Sequence, residues 1–273
     1  TLAAAMAARA PDLVLGMCGG YGAAVVRPFL RSLRATGFAG EVALLTHGLP
    51  PGAAAALAAE GAAAVPVALA GVPDPLSYNV ARYAAFAAYL ASRAARRVLL
   101  TDVRDVVFQR DPFGAAADES DEGVHLFLEH PARPIGGCIW TSSWIRYRYG
   151  DAALPPLAAR PIVCSGVVLG AARAVAAYLG LVAAELPPDL RANNYMAGYD
   201  QGVVNRLCHA GRVPALTLHA YAAARVLHLG NAPAGAVARD ARGEVVNEAG
   251  EVAALVHQYD RHPALAGLAG RWG

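Results

Sequence analysis

The first hundred residues alternate short apolar runs with helical stretches, and that alternation restricts the fold more than any other feature. Asp12 to Met17 (DLVLGM) is a first apolar run, ending in Gly19-Gly20-Tyr21-Gly22. Val25 to Arg34 (VVRPFLRSLR) follows with apolar residues at helical spacing and Gly37 as a stop. Glu41 to Thr46 (EVALLT) is a second run, closed by Gly48, Pro50 and Pro51, and a helix is expected over Ala53 to Glu60. Ala64 to Leu69 reads as a third strand. Tyr78 to Arg93 reads as a longer helix with Val80, Tyr83, Ala84, Phe86 and Leu90 on or near one face. Arg97 to Thr101 (RVLLT) reads as a fourth strand. Strand and helix at such short intervals predict an α/β fold, a mostly parallel central sheet with helices on both faces. Right-handed crossovers put the strand C-terminal ends, and so the ligand crevice, along one edge. Gly19–Gly22 and Asp102–Asp105 should both emerge there.

The second half is less regular. Val124 to Leu128, Ile162 to Leu169 and Leu216 to Leu218 read as strands, Ala172 to Leu186 and Gln201 to His209 as helices. Glu244 to Glu251 (EVVNEAGE) has the turn chemistry of a hairpin. There is no repeat and no linker. The expectation is one domain over all 273 residues, with 1–113 and 114–273 as its two halves.

Absences narrow the chemistry. The chain has no lysine, which excludes a Walker-type phosphate lysine, a kinase strand lysine and a Schiff base. Phosphate would have to be met by arginine, backbone N–H groups or a metal ion. The formal charge of +2 is too small to point to nucleic acid or an anionic membrane. Cys18, Cys138, Cys164 and Cys208 are scattered without a CxxC pair, so buried free thiols are expected rather than a zinc site or disulfides. No apolar stretch is long enough for a membrane span. The segment starts at Thr1 without a recognisable leader, so both a cytoplasmic location and, with an anchor upstream, a secretory-pathway lumen stay open.

The strongest local signal is LLTDVRDVVF, Leu99 to Phe108, where Asp102 and Asp105 follow a wholly apolar strand. Carboxylates leaving a sheet at that point are poorly solvated unless a cation neutralises them. Residues three apart face opposite sides of a straight strand, so the two converge only if the chain turns just after Asp102. A hard ion such as Mn2+ or Mg2+ would suit these oxygens and bridge a diphosphate. The alternative is plain: Arg104 pairs one carboxylate and Asp105 caps the next turn. Gly19, Gly20 and Tyr21 would let a nucleotide approach the backbone with the phenol ring against its base, or would simply make a tight turn.

Thr101–Phe113 (TDVRDVVFQRDPF) resembles the metal-binding aspartate motif of the GT-A glycosyltransferases. Ile162–Gly170 (IVCSGVVLG) resembles their "NSGV" strand, Tyr199–Leu207 (YDQGVVNRL) their "DQ…N" helix start, and Leu255–Pro263 (LVHQYDRHP) their late histidine segment. The four occur in family order over most of the chain, and the pattern is similar to that of glycogenin-like and lipopolysaccharide-galactosyltransferase-like enzymes and related plant and bacterial transferases. The aspartate spacing here is D-x-x-D instead of D-x-D, and Cys164 stands where the family often has Asn.

The resemblance implies a nucleoside-diphosphate sugar donor, a UDP-sugar in most relatives, a glycan or other hydroxyl acceptor, and a divalent metal. It implies Asp105 as main metal ligand, Asp102 as ribose or second metal contact, and Ser165 on the donor. Asp200 and Gln201 would bind donor hydroxyls or stabilise the anomeric centre, unless Asp200 merely caps its helix. Arg82 would reach the diphosphate or lie in solvent. His257 and His228, both at apolar strand ends, compete as imidazole ligand, and the late position of His257 fits the family better. Sugar transfer builds charge on the leaving diphosphate, so a cation aimed at it is required. By the resemblance, Asp200–Gln201 leans toward retention of configuration, since no obvious general-base carboxylate stands out. Two other readings are weighed: a non-catalytic nucleotide-sugar binder, and a haloacid-dehalogenase-type phosphatase, which lacks its spacing and its lysine here.

Overall fold

The computed structural model describes residues 10–69, 78–114, 122–186 and 198–273. Seven strands form the main sheet in the order β3-β2-β1-β4-β7-β6-β8. They are β1 (Leu13–Gly19), β2 (Glu41–His47), β3 (Ala63–Pro66), β4 (Arg97–Thr101), β6 (Val124–Leu128), β7 (Val163–Ala171) and β8 (Leu216–His219). β7 runs antiparallel to β4 and β6, and every other neighbouring pair is parallel. The mostly parallel sheet expected from the sequence is what forms. Both halves of the chain contribute strands to it.

The strands are apolar throughout because they bury both faces. Leu13 and Leu15 of β1 face a core built with α3 (Tyr78–Ala91), α5 (Ala172–Glu185) and α6 (Tyr199–His209). Val14 and Cys18 face the opposite core, with α1 (Ala23–Ala35) and α2 (Ala53–Ala59). In α1 the fully buried Val26, Phe29, Leu30 and Leu33 make one stripe at i, i+3, i+4 and i+7. Each such side chain contributes about 1.5–3 kcal/mol on burial, which offsets the backbone bond that Pro28 removes from the helix.

The third strand is shorter than expected and ends at Pro66, at the sheet edge where a residue without an N–H is tolerated. The Glu244–Glu251 turn forms as read. β11 (Val245–Val246) pairs with β10 (Ala238–Arg239), Val246 bridges to Val252, and Asn247 Oδ1 accepts from the Ala249 and Glu251 N–H groups at 3.0 and 2.9 Å. Helix α4 (Ile139–Tyr149) was not expected, because IWTSSWIRYRY shows no clean apolar stripe, and Ile139 and Trp140 are exposed. Three further strands of three residues each, β5 (Val106–Phe108), β9 (Val226–His228) and β12 (Leu255–His257), form a separate sheet in the order β5-β12-β9. All four cysteines are free and buried. Among the described residues, no helix is long and apolar enough to cross a membrane.

A charge clamp ties the starts of β1 and β4. Asp12 accepts from Arg97 Nε and Nη2 at 3.1 and 2.7 Å and from Arg96 Nε and Nη2 at the same two distances. Burial pushes the Asp12 carboxyl up, but the two guanidinium groups outweigh it and hold its pKa below the usual value. A depressed folded pKa means stability present above the unfolded value of about 3.9 and lost as pH falls through the folded one. Asp12→Ala is expected to cost about 2 kcal/mol at pH 7 in urea titrations, with the difference vanishing in acid. Equal stability of the two proteins at pH 7 would show that the clamp contributes nothing.

Candidate metal centre and its cleft

The small sheet exists to bring distant residues together. The chain leaves β4 at Asp102, bends through Val103–Asp105 and re-enters sheet as β5, so both carboxylates turn to the same side. β12 pairs antiparallel with β5, His257 opposite Val106, and parallel with β9, His257 beside His228. The Asp102 N–H donates to the Gly166 carbonyl of β7 at 2.9 Å, and the Gln258 N–H to the Asp105 carbonyl at 2.8 Å. His257 Nε2 lies 3.2 Å from Asp102 Oδ2 and 3.7 Å from Asp105 Oδ1. Asp102, Asp105 and His257 thus offer one ligand atom each within 4.8 Å of one another. His228 faces the other edge of the His257 ring, with Nδ1 to Nδ1 at 2.9 Å, and does not reach the aspartates.

These residues fit a divalent ion. His257 is 1% exposed, and its Nε2, close to both carboxylates, makes no well-formed hydrogen bond to either. Gly166 leaves the cradle open: a Cβ there would stand 2.4 Å from His257 Cε1 and 2.8 Å from Asp102 Oδ2. Burial disfavours an imidazolium at His257, yet Asp105 and Asp102 outweigh it and hold its pKa well above the usual value. Burial pushes Asp105 up. It also pushes Asp102 up, but Arg82 and His257 prevail and hold that carboxyl below its usual range. A buried cluster of two carboxylates around one imidazole is what a cation in place of the proton would complete. Gly166→Ala should therefore weaken Mn2+ binding at least about tenfold, and the overlap with a buried ring should also cost about 1–3 kcal/mol of stability. Unaltered Mn2+ affinity would remove Gly166 from the site.

Arg82 is neither in solvent nor free. Its guanidinium is buried, with Nη1 2.5 Å from Asp102 Oδ1, Nη2 2.8 Å from Asp200 Oδ2 and Nη2 3.3 Å from the Ser165 carbonyl. Tyr83 Oη also donates to Asp200 Oδ2, at 2.9 Å. Asp200 does not cap α6, since Gly198 is the N-cap residue, with φ 94°. Instead Asp200 stands in the first turn, 1% exposed, and balances Arg82. Gln201 beside it is wired into the wall: its Oε1 accepts from the Ser165 N–H at 3.3 Å, and its Nε2 donates to Glu129 Oε1 at 3.1 Å and Thr141 Oγ1 at 3.4 Å. Asn205 holds this helix start to β7, donating to the Val163 and Gln201 carbonyls and accepting from the Val163 N–H, each at 2.8 Å.

All of this opens into one cleft of about 1030 Å³, lined by Gly19, Gly20, Tyr21, Arg82, Asp102, Asp105, Ser165, Asp200, Gln201 and His257. That volume lies at the upper end for a single small ligand and leaves room for two. Gly20 adopts φ +75° with open space where a side chain would project, whereas the Tyr78 ring fills the space beside Gly19. Sequence reasoning missed Glu129, Asn231, Trp140 and Trp144 in this lining. Glu129 is 4% exposed; Gln201 and Asn231 donate to it, and burial raises its pKa. Nothing local marks it, because a lone Glu at a strand end reads as solvated.

No family model matches the chain, and no curated protein matches it in sequence. Among solved structures, it aligns with the galactosyltransferase LgtC in complex with donor and acceptor sugar analogues. That match has a TM-score of 0.56 at 14% identity, over 96% of this chain and 93% of that one. Glucosyl-3-phosphoglycerate synthase from Mycobacterium tuberculosis, solved with Mn2+, UDP and glucosyl-3-phosphoglycerate, aligns at a TM-score of 0.45 and 16% identity. It covers 79% of this chain and 71% of that one, and a likeness so loose carries no argument. With its sheet order, single antiparallel β7 and near-complete overlay on the galactosyltransferase, the chain has the GT-A fold.

Proposed function

We propose that this protein is a metal-dependent glycosyltransferase, moving a sugar from a nucleoside-diphosphate sugar, a UDP-sugar in the first instance, to a glycan or other hydroxyl acceptor. The observation that carries the reading is the Asp102–Asp105–His257 constellation opening into a cleft large enough for two substrates. The galactosyltransferase that shares the fold was solved with donor and acceptor sugar analogues. Two carboxylates with one imidazole suit Mn2+ somewhat better than Mg2+, since nitrogen donors favour the transition ion. Bound there, the ion would supply positive charge for the leaving diphosphate.

The chain's own residues take the remaining tasks. Asp105 and His257 hold the ion, and Asp102 shares it or meets the ribose. Gly20 leaves the backbone open to the nucleotide, and Tyr21 offers its ring to the base. Arg82 keeps Asp102 ionised and presents its remaining edge to the diphosphate. Ser165, Asp200 and Gln201 form the donor-sugar wall. Retention of configuration remains our reading on the Asp200–Gln201 pair alone, because Glu129 supplies the wall carboxylate whose apparent absence was the other ground for it. The anomeric proton coupling of the product decides this point.

The test is a thermal-shift screen of nucleotide sugars with Mn2+, followed by assay of nucleoside diphosphate released from the stabilising donor. Stabilisation that needs Mn2+, together with slow donor hydrolysis lost in chelator, is the expected result. Stabilisation without release under any acceptor would make the protein a binder. No stabilisation by any nucleotide sugar would end the reading. The fold offers no support to a haloacid-dehalogenase-type phosphatase.

A further inference from the structure

His228 is wholly buried, outside the aspartate cluster, and has no role in the reaction as described above. The parallel register of β9 and β12 sets it directly beside His257, with the rings edge to face, centroids 5.1 Å apart and planes at 82°. Their Nδ1 atoms are 2.9 Å apart. At that distance the two nitrogens share one proton, since two lone pairs or two N–H groups would repel. Cys164 Sγ also faces His257 Nδ1, but at 3.8 Å and as a weak acceptor.

Which nitrogen owns the proton decides what the opposite edge of His257 can do. With the proton on His228, His257 would carry its own on Nε2 and aim it at the aspartates as a donor. An ion held between the aspartates would then meet that proton instead of a lone pair. With the proton on His257 Nδ1, its Nε2 can release its own proton as an ion binds and turn a lone pair between the two carboxylates. His228 then carries its proton on Nε2, an atom that is buried and unpartnered among the described residues. An unpartnered buried donor costs stability, and a leucine would fill the same space without that cost. The cost is accounted for by what the ring does for its neighbour.

We infer that His228 is a positioning residue: its Nδ1 accepts the His257 Nδ1 proton, fixing the ring and tautomer that present His257 Nε2 to a divalent ion held with Asp102 and Asp105. The inference rests on the metal reading above, and it extends the ligand shell into a buried imidazole pair in place of the carboxylate or carbonyl that commonly orients a ligand histidine.

The test compares His228→Leu, which fills the space but cannot accept, with His228→Asn, whose Oδ1 stands near the position of Nδ1 and can. Mn2+ dissociation constants, measured by electron paramagnetic resonance with and without UDP, need no knowledge of donor sugar or acceptor. His228→Leu should bind Mn2+ about ten- to a hundredfold more weakly, and His228→Asn within about threefold of the parent. Parental affinity in His228→Leu, or equal weakening in both variants, would overturn the inference. In case the leucine variant fails to fold, ¹⁵N ring spectra of the parent with Mg2+ give a second reading. They should show His257 protonated at Nδ1 and His228 at Nε2, and the reverse pattern would refute the assignment. A parent that binds no Mn2+ even with UDP would instead bring down the metal reading itself, and this inference with it.

Discussion

Asp105→Asn is expected to yield a protein that folds at least as well as the parent without metal, and that has lost Mn2+-dependent donor hydrolysis and transfer. Asp105 is 6% exposed and lies close to Asp102, and burial raises its pKa above the unfolded value. A carboxyl raised in the folded state opposes folding once ionised, so its contribution falls as pH rises above about 3.9, through the window up to the folded pKa. The amide removes that term. At pH 7 without metal the variant should therefore fold at least as stably as the parent, as a functional site traded for stability commonly does. The same change removes an ionic ligand from a three-donor set, and the rate of donor hydrolysis should fall at least about a hundredfold. Chemical denaturation with and without Mn2+ reads both effects. A variant still stabilised by Mn2+ as strongly as the parent would exclude Asp105 as a ligand.

The second large effect is expected at Arg82. Its guanidinium pairs with Asp102 and Asp200, donates to the Ser165 carbonyl and lies 5.5 Å from the Tyr83 ring centre. Arg82→Leu leaves two carboxylates in a low-dielectric wall without their cation, at a cost of about 3–5 kcal/mol at pH 7. Arg82 helps hold the Asp102 pKa down, so the stabilisation is present above the unfolded carboxyl value and is lost as pH falls through the folded one. Acid should therefore narrow the gap between variant and parent. Arg82→Leu combined with Asp200→Asn should recover part of the loss, because the two sites share one network. Arg82→Lys should recover less, since an ammonium cannot reproduce a fork that reaches both carboxylates. A single-variant cost below about 1 kcal/mol would show that the cluster is solvated and weak. In that event Arg82 would be left with its proposed diphosphate contact alone, and the donor KM would report it.

Local chemistry made the first half of the fold legible. Runs such as LVLG, EVALLT and RVLLT are apolar on both faces, and only a sheet covered on both sides accepts them. The helix over Tyr78–Ala91 was readable because Val80, Tyr83, Phe86 and Leu90 recur at helical spacing and are buried, whereas Ala84, read onto or near the same face, is exposed. The aspartates stood out because carboxylates directly after a buried strand need a reason to be there. His257 stood out because an apolar run turns polar just after it.

Tertiary structure decided which of those residues meet. Three-residue strands carry too few side chains to show a period, so nothing in the sequence announced that β12 would lie between β5 and β9. That pairing sets His257 against the aspartates and puts His228 behind it, separating two histidines the sequence left as rivals. Asp200 was read as a donor-sugar contact with a helix cap as the alternative, and only the fold sets its carboxylate on Arg82, 118 positions away along the chain. Glu129 carries no local signal at all; it joins the cleft through the Gln201 and Asn231 amides, which approach from elements 72 and 102 residues distant. Hydrophobic periodicity is written between neighbours, so it can be read from the chain. Ligand geometry depends on strand register and on the balance of buried charges across long separations, and these exist only once the chain has folded.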